Sequence, residues 1–173
     1  MSQAKPDFWD SPFFYIDDDG WHLKDGAPEE VLKEFREYMH EPTERMIESF
    51  RFENSFFLAF NRNRTVVIES QGDVYTLSFS MGFGVVSEPL VLSEEDSNAV
   101  DEFIGALNIP KWKSEYDNPN ILDGEQWSVQ VVFADGSRYK STGSNAYPSA
   151  WRKLSAFINH WAEDKYMELE IKK

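Results

Sequence analysis

Apolar positions change their spacing several times along the chain, and each change predicts an element. Phe13, Phe14, Tyr15 and Ile16 form an aromatic run, and Trp21, His22, Leu23 and Lys24 alternate apolar with polar. Between them Asp17, Asp18, Asp19 and Gly20 make a polar turn closed by glycine, so the two runs predict a β-hairpin. Beyond Gly26, Pro28 fits a first helical turn, Glu29 and Glu30 suit the positive end of a helix dipole, and Val31, Leu32, Phe35, Tyr38 and Met39 recur at helical spacing. An amphipathic helix ending before Pro42 is expected there.

From residue 50 the pattern shifts to short β-rich runs at 50–60, 65–69, 74–81 and 85–92, separated by Asn, Arg and Gly clusters that predict turns. An antiparallel meander is expected. Ser93 with Asp96 three residues later resembles a capping box, and Ala99, Val100, Phe103, Ile104 and Leu107 supply the apolar stripe of a second helix. Residues 111–125 are rich in Asn, Asp, Pro and Gly and read as the longest loop, pinned by Trp112 and Tyr116. Trp127, Val129, Val131 and Phe133 then alternate, Ala134-Asp135-Gly136 turns the chain, and 137–142 returns as a second hairpin. Pro148 opens a last helix carrying Trp151, Leu154, Phe157, Ile158 and Trp161.

Hairpin followed by helix thus occurs three times, over 13–40, 65–107 and 127–162. Strands that alternate apolar with polar want one covered and one wet face. The expected fold is α+β: a single antiparallel sheet, a meander of hairpins, with about three helices packed mainly on one face. One domain spans 1–173, with 1–11 and the charged 164–173 fraying.

Composition sharpens this picture. Aromatic residues make up 16% of the chain, with fourteen Phe, seven Tyr and six Trp, far more than an acidic disordered segment carries. Acidic residues outnumber basic ones 31 to 17, a net charge of −14. Coulomb repulsion then disfavours direct nucleic-acid binding and anionic lipid, whereas a basic protein surface would be steered toward the chain. A nucleic-acid mimic, with carboxylates gathered on one face, is a variant of the same expectation. Cysteine is absent, which excludes disulfides, thiolate metal sites and cysteine nucleophiles. With no signal-like N-terminus and no apolar run long enough for a bilayer, the expected location is cytoplasmic, without a membrane partner.

Candidate chemistry is sparse. His22, His40 and His160 share no metal-ligand spacing, and the runs 17–19 and 94–96 read as turn and cap residues, not a cation cage. Gly82-Phe83-Gly84 is too short for a phosphate loop, and no G-x-S-x-G is present. No catalytic residue, metal or cofactor is assigned, and an enzyme is not expected.

The most distinctive stretch begins at Trp127, passes the Asp135-Gly136 turn and reaches Gly143-Ser144-Asn145-Ala146-Tyr147-Pro148. It resembles a family of uncharacterised bacterial proteins, common in Gram-positive gut bacteria, that share a Trp-led alternating strand, an Asp-Gly turn and a G-x-N-A-Y-P element before the final helix. The resemblance covers about a fifth of the chain and implies fold more than function. Gly143 can leave the strand at positive φ, Asn145 can bond neighbouring backbone, and Tyr147 before Pro148 can fix the angle at which the helix starts.

Two functional expectations follow. The first is a non-enzymatic acidic interaction protein that binds and modulates a more basic protein, as an immunity or anti-defence inhibitor does, through Asp17, Asp18, Asp19, Trp112 and Tyr116. The alternative is a small-molecule or peptide-binding module, or a hydrolase of unfamiliar type. Its site would lie near the final hairpin and last helix, around Asn145, Tyr147, Trp127 and Trp151.

Overall fold

A computed structural model of the chain describes residues 6–17, 20–39 and 44–172. These fall into two compact units, one up to Met39 and one from Glu44 onward.

The first unit holds a 3₁₀ turn (Asp7–Asp10), strands β1 (Phe14–Asp17) and β2 (Gly20–Leu23), and helix α1 (Glu29–Met39). Phe14 pairs with Leu23 and Asp17 with Gly20 across an antiparallel hairpin, and Gly20 takes φ +127, a conformation that side-chain-bearing residues avoid. Phe8 is the buried centre. Its ring meets the rings of Phe14, Phe35 and Tyr38 edge-on at 5.2–5.4 Å, an arrangement that puts positive ring edges against negative faces. Asp18, Asp19 and the end of the expected helix beyond Met39 lie outside the described residues.

The second unit is built on a seven-stranded sheet: β3 (Ile47–Phe56), β4 (Arg64–Gln71), β5 (Val74–Met81), β6 (Leu90–Val91), β7 (Glu115–Asp117), β8 (Glu125–Phe133) and β9 (Arg138–Ser144). Strand order is β6-β5-β4-β3-β8-β9-β7. The fold is α+β, but the expected single antiparallel sheet is corrected twice. The β1–β2 hairpin forms its own two-stranded sheet, and the large sheet is mixed because β7 runs parallel to β9. That short strand comes from the segment read as loop. It cannot reach its neighbour by a hairpin, since the chain leaves β6 at one edge, forms α2 (Glu94–Leu107), and arrives at the opposite edge. The run 85–92 shrinks to two paired residues behind Pro89, which has no N–H for the ladder.

Alternation sets the core. Phe50, Ile68, Leu77 and Val131 share one cross-strand row, and Phe52, Val66, Phe79 and Val129 share the next, all facing inward. Against them pack Val100, Ile104 and Leu107 of α2 together with Leu154, Phe157 and Ile158. Leu154 belongs to α3 (Trp151–Ala156), and Phe157 and Ile158 to the π-helical stretch (Phe157–Ala162) through which α3 passes into α4 (Glu163–Ile171). Phe103 and Phe157 stack at 3.7 Å to join the two helices, while Tyr166 stacks on Phe79 at 5.6 Å. Ser93 caps α2 by accepting the Asp96 amide at 3.1 Å. No helix among the described residues is long and apolar enough to cross a membrane.

Candidate functional site

At one end of the sheet the inward rows change character. Beyond the Phe52–Val66–Val129 row, the positions of the same parity are Asn54, Arg64 and Trp127, and then Phe56 opposite Glu125. Polar side chains therefore point into the helix-covered side of the sheet, where the alternation alone would place apolar ones. Glu125 is only 8% exposed. Its carboxylate accepts from Asn54 Nδ2 at 2.6 Å and from the Tyr147 hydroxyl at 3.1 Å. Asn54 Oδ1 in turn accepts the Arg64 amide at 2.7 Å, so the two neighbouring strands are locked together by one side chain.

The G-x-N-A-Y-P element frames this group. Asn145, at φ +53, donates its amide to the Glu125 carbonyl at 3.0 Å and accepts the Glu125 amide on Oδ1 at 2.9 Å, extending the ladder by one reciprocal pair. Gly124 and Gly143 are required by close approach: a β-carbon on Gly124 would meet Asn145 Oδ1 at 1.9 Å, and one on Gly143 would meet Trp127 Nε1 at 2.1 Å. Trp127 donates its indole N–H to the Ala146 carbonyl at 3.0 Å and packs on Trp151, with ring centres 4.9 Å apart. Tyr147 lies 4.6 Å from Trp151. Its hydroxyl is pushed up to about 12, first by burial and then by the negative charge of Glu125 and its hydrogen bond to it, with Arg62 opposing.

A cleft of about 370 Å³ opens beside this cluster, with Phe52 and Ile158 as its apolar part, Phe56 and Trp151 as aromatic walls, and Arg62 and Glu125 among its polar groups. The Arg62 guanidinium lies 4.0 Å over the Phe56 ring. Arg64 is committed elsewhere: Nε donates to Glu163 at 3.1 Å and Nη1 to the carbonyls of Asn61 and Asn63 at 2.8 and 3.0 Å. The π-helical stretch supplies Ile158 and Asn159 to the lining, a backbone feature frequent at functional sites.

On the adjoining rim, three loops leave large apolar side chains in solvent. Phe57 is 61% exposed, Leu58 75%, Phe83 80% and Leu122 94%. The loops are tied together, since the Phe57 amide donates to the Gly124 carbonyl at 3.2 Å and the Gly82 amide to Asn63 at 3.0 Å. Phe60 and Phe83 meet at 4.6 Å. Phe57, Phe60, Phe83 and Leu122 thus border one groove of about 370 Å³. Leu58 sits at φ +57, a left-handed conformation that costs a side-chain-bearing residue about 1–2 kcal/mol.

The residues singled out from sequence fall in three places. Asn145 and Tyr147 converge on Glu125. Trp112 and Tyr116 pack against Trp127, at 6.4 and 5.8 Å, with the Trp112 indole donating to the Leu107 carbonyl and the Tyr116 hydroxyl accepting the Lys113 amide. Asp17 belongs to the first unit, where its Oδ1 lies 2.9 Å from His22 Nε2. Sequence reading missed Asn54, Arg62, Arg64 and Glu125. Three of them carried a usable signal: Asn54, Arg64 and Glu125 are polar residues at inward positions of otherwise apolar alternation. Among the described residues, no group of three or more His, Cys, Asp or Glu could hold a metal ion. Compared with models of known protein families, with curated proteins and with solved structures, the chain matches none of them.

Proposed function

We propose that the protein is a non-enzymatic interaction protein that binds a more basic protein and modulates it, as an immunity or anti-defence inhibitor does, and that the apolar rim is its contact surface. One observation carries this reading. Phe57, Leu58, Phe83 and Leu122 stand mostly in solvent on loops hydrogen-bonded to one another, and one of them holds a backbone conformation that costs stability. Contiguous exposed apolar side chains of this kind mark association surfaces, and buried aromatic anchors supply most of the energy of an interface. The net charge of −14 selects the partner's sign, because complementary fields raise the association rate while the rim determines how long the complex lasts. Trp112 and Tyr116 serve this surface indirectly, by packing on Trp127 beneath the corner next to it.

The test is capture of partners from the native cell by the wild type and by the double variant Phe83→Ser, Leu122→Ser, at low and high salt. Both side chains are exposed, so the variant should keep its stability within about 0.5 kcal/mol. A basic protein held at low salt, weakened at high salt and lost in the variant is the expected result. Equal capture by the variant, or no basic protein at either salt, would sink the reading. So would self-association through the rim, read by sedimentation of the purified chain.

A further inference from the structure

We infer that the cleft beside Trp151 is a binding site for a small zwitterion, an amino acid with an apolar side chain, its ammonium group seated on Glu125 and its carboxylate on Arg62. The inference goes beyond the proposed interaction function and concerns a different surface. Phe56 lines both places, but the rim side chains Phe57, Phe60, Phe83 and Leu122 take no part in the cleft.

Glu125 is the first reason. The residue is more than nine-tenths buried, and among the described residues its carboxylate receives side-chain hydrogen bonds from two neutral donors, Asn54 and Tyr147. Among the described residues no Lys, Arg or His nitrogen comes within 4.0 Å of it; the ion pairs of this region join Arg64 to Glu163 and Lys165 to Asp96. A buried carboxylate without a counter-ion is unfavourable, and each of its oxygens keeps a lone pair beyond the one bond described. A ligand ammonium supplies the missing cation and further donors. Trp151 lines the same cleft, and the Tyr147 ring packs on it at 4.6 Å.

Arg62 is the second. Arg62 is exposed, makes no ion pair among the described residues, and its guanidinium carbon lies 4.0 Å over the Phe56 ring, a contact that restrains the side chain. The planar guanidinium fork suits a carboxylate, with two parallel N–H donors. Arg62 and Glu125 line the same cleft, so the cation and the buried anion share one space. Arg64, bonded to Glu163 and to two carbonyls, is a fixed wall and not a free anchor.

The apolar lining accounts for the rest of the ligand. Phe52, Ile158, Phe56 and Trp151 offer hydrocarbon and ring surface in a volume of about 370 Å³, within the range of small-molecule sites. A side chain such as phenyl or isobutyl would occupy it, gaining from removal of apolar surface from water.

Titration calorimetry with three probes tests this: L-phenylalanine, phenethylamine, which lacks the carboxylate, and 3-phenylpropionate, which lacks the ammonium. The amino acid should bind the wild type roughly tenfold tighter than either analogue, the gain expected from one extra charged hydrogen-bonded contact. Glu125→Gln should lower phenylalanine affinity to that of 3-phenylpropionate and leave 3-phenylpropionate itself unchanged. Arg62→Ala, an exposed change, should lower it to that of phenethylamine, and Phe83→Ser should leave it as in the wild type. Melting temperatures measured alongside distinguish loss of the site from loss of the fold. Equal binding of all three probes, no binding of phenylalanine, leucine or tryptophan to the wild type, or undiminished binding to folded Arg62→Ala would overturn the assignment.

Discussion

The corner around Trp127 and the rim beside it are built from neighbouring stretches of chain under opposite rules. In the corner, Glu125 and Asn145 exchange backbone and side-chain hydrogen bonds, and neither Gly124 nor Gly143 has room for a β-carbon. On the rim, Phe57, Leu58, Phe83 and Leu122 leave most of their surface in water, and Leu58 is held in a strained conformation to do so. A phenylalanine or leucine ordinarily gains roughly 1.5–3 kcal/mol by burial, so the rim withholds stabilisation that the corner takes in full. The difference separates residues that hold the fold from residues left in solvent, and it places the distinctive G-x-N-A-Y-P element mainly on the structural side.

The contrast can be broken most severely at Gly143. A β-carbon there collides with the Trp127 indole, itself wedged among Trp112, Tyr116 and Trp151, so Gly143→Ala should cost about 3 kcal/mol in denaturant unfolding. A loss below about 1 kcal/mol would mean the corner yields more easily than its geometry implies. Asn145→Ala removes the acceptor for the Glu125 amide and leaves alanine at positive φ, for a combined cost of about 2 kcal/mol. Asn145→Gly relieves the backbone part and should cost about half as much, which separates the two contributions.

The rim predicts the opposite sign. Leu58→Gly releases the left-handed strain and should raise stability by about 1 kcal/mol while weakening the proposed capture of a basic protein. A destabilised Leu58→Gly would show that this side chain contributes to the fold after all. The smallest effect is alkaline. Tyr147 keeps its proton to about 12, and burial together with its hydrogen bond to Asp101 also raises Tyr75. Both protons are retained by the folded chain at pH values where the unfolded chain, titrating near 10.0, releases them. Their stabilising contribution is therefore complete below about pH 10 and declines as pH rises through 12. Urea midpoints between pH 9 and 12 should fall, and Tyr147→Phe should make the fall shallower. An unchanged slope would mean that Tyr147 does not hold its proton against Glu125.

Much of the architecture could be read from local pattern. The hairpin at 14–23, the helices opened by Pro28 and Ser93, and the Trp127 strand with its Asp135-Gly136 turn all occur where periodicity and turn chemistry put them. β7 was not legible, because three residues among Asn, Asp and Pro carry no period, and they pair in parallel with β9, beyond the intervening strand β8 in sequence. The cleft was half legible. Asn145 and Tyr147 stood out by their motif, whereas Glu125 and Asn54 showed only as polar residues at inward parity, and strand register was needed to place them opposite Phe56 and Trp127.

By itself the sequence determined the α+β character, the net negative charge, the absence of cysteine chemistry and the tight turns that need glycine. Those properties depend on composition and on neighbours a few residues apart. Only the tertiary structure decided that the sheet is mixed, that Arg62 and Glu125 line one cleft, and that Phe57, Phe83 and Leu122 gather on one rim. Each of these joins residues dozens of positions apart, and such contacts follow from how strands order and register themselves in the sheet, which no local pattern encodes.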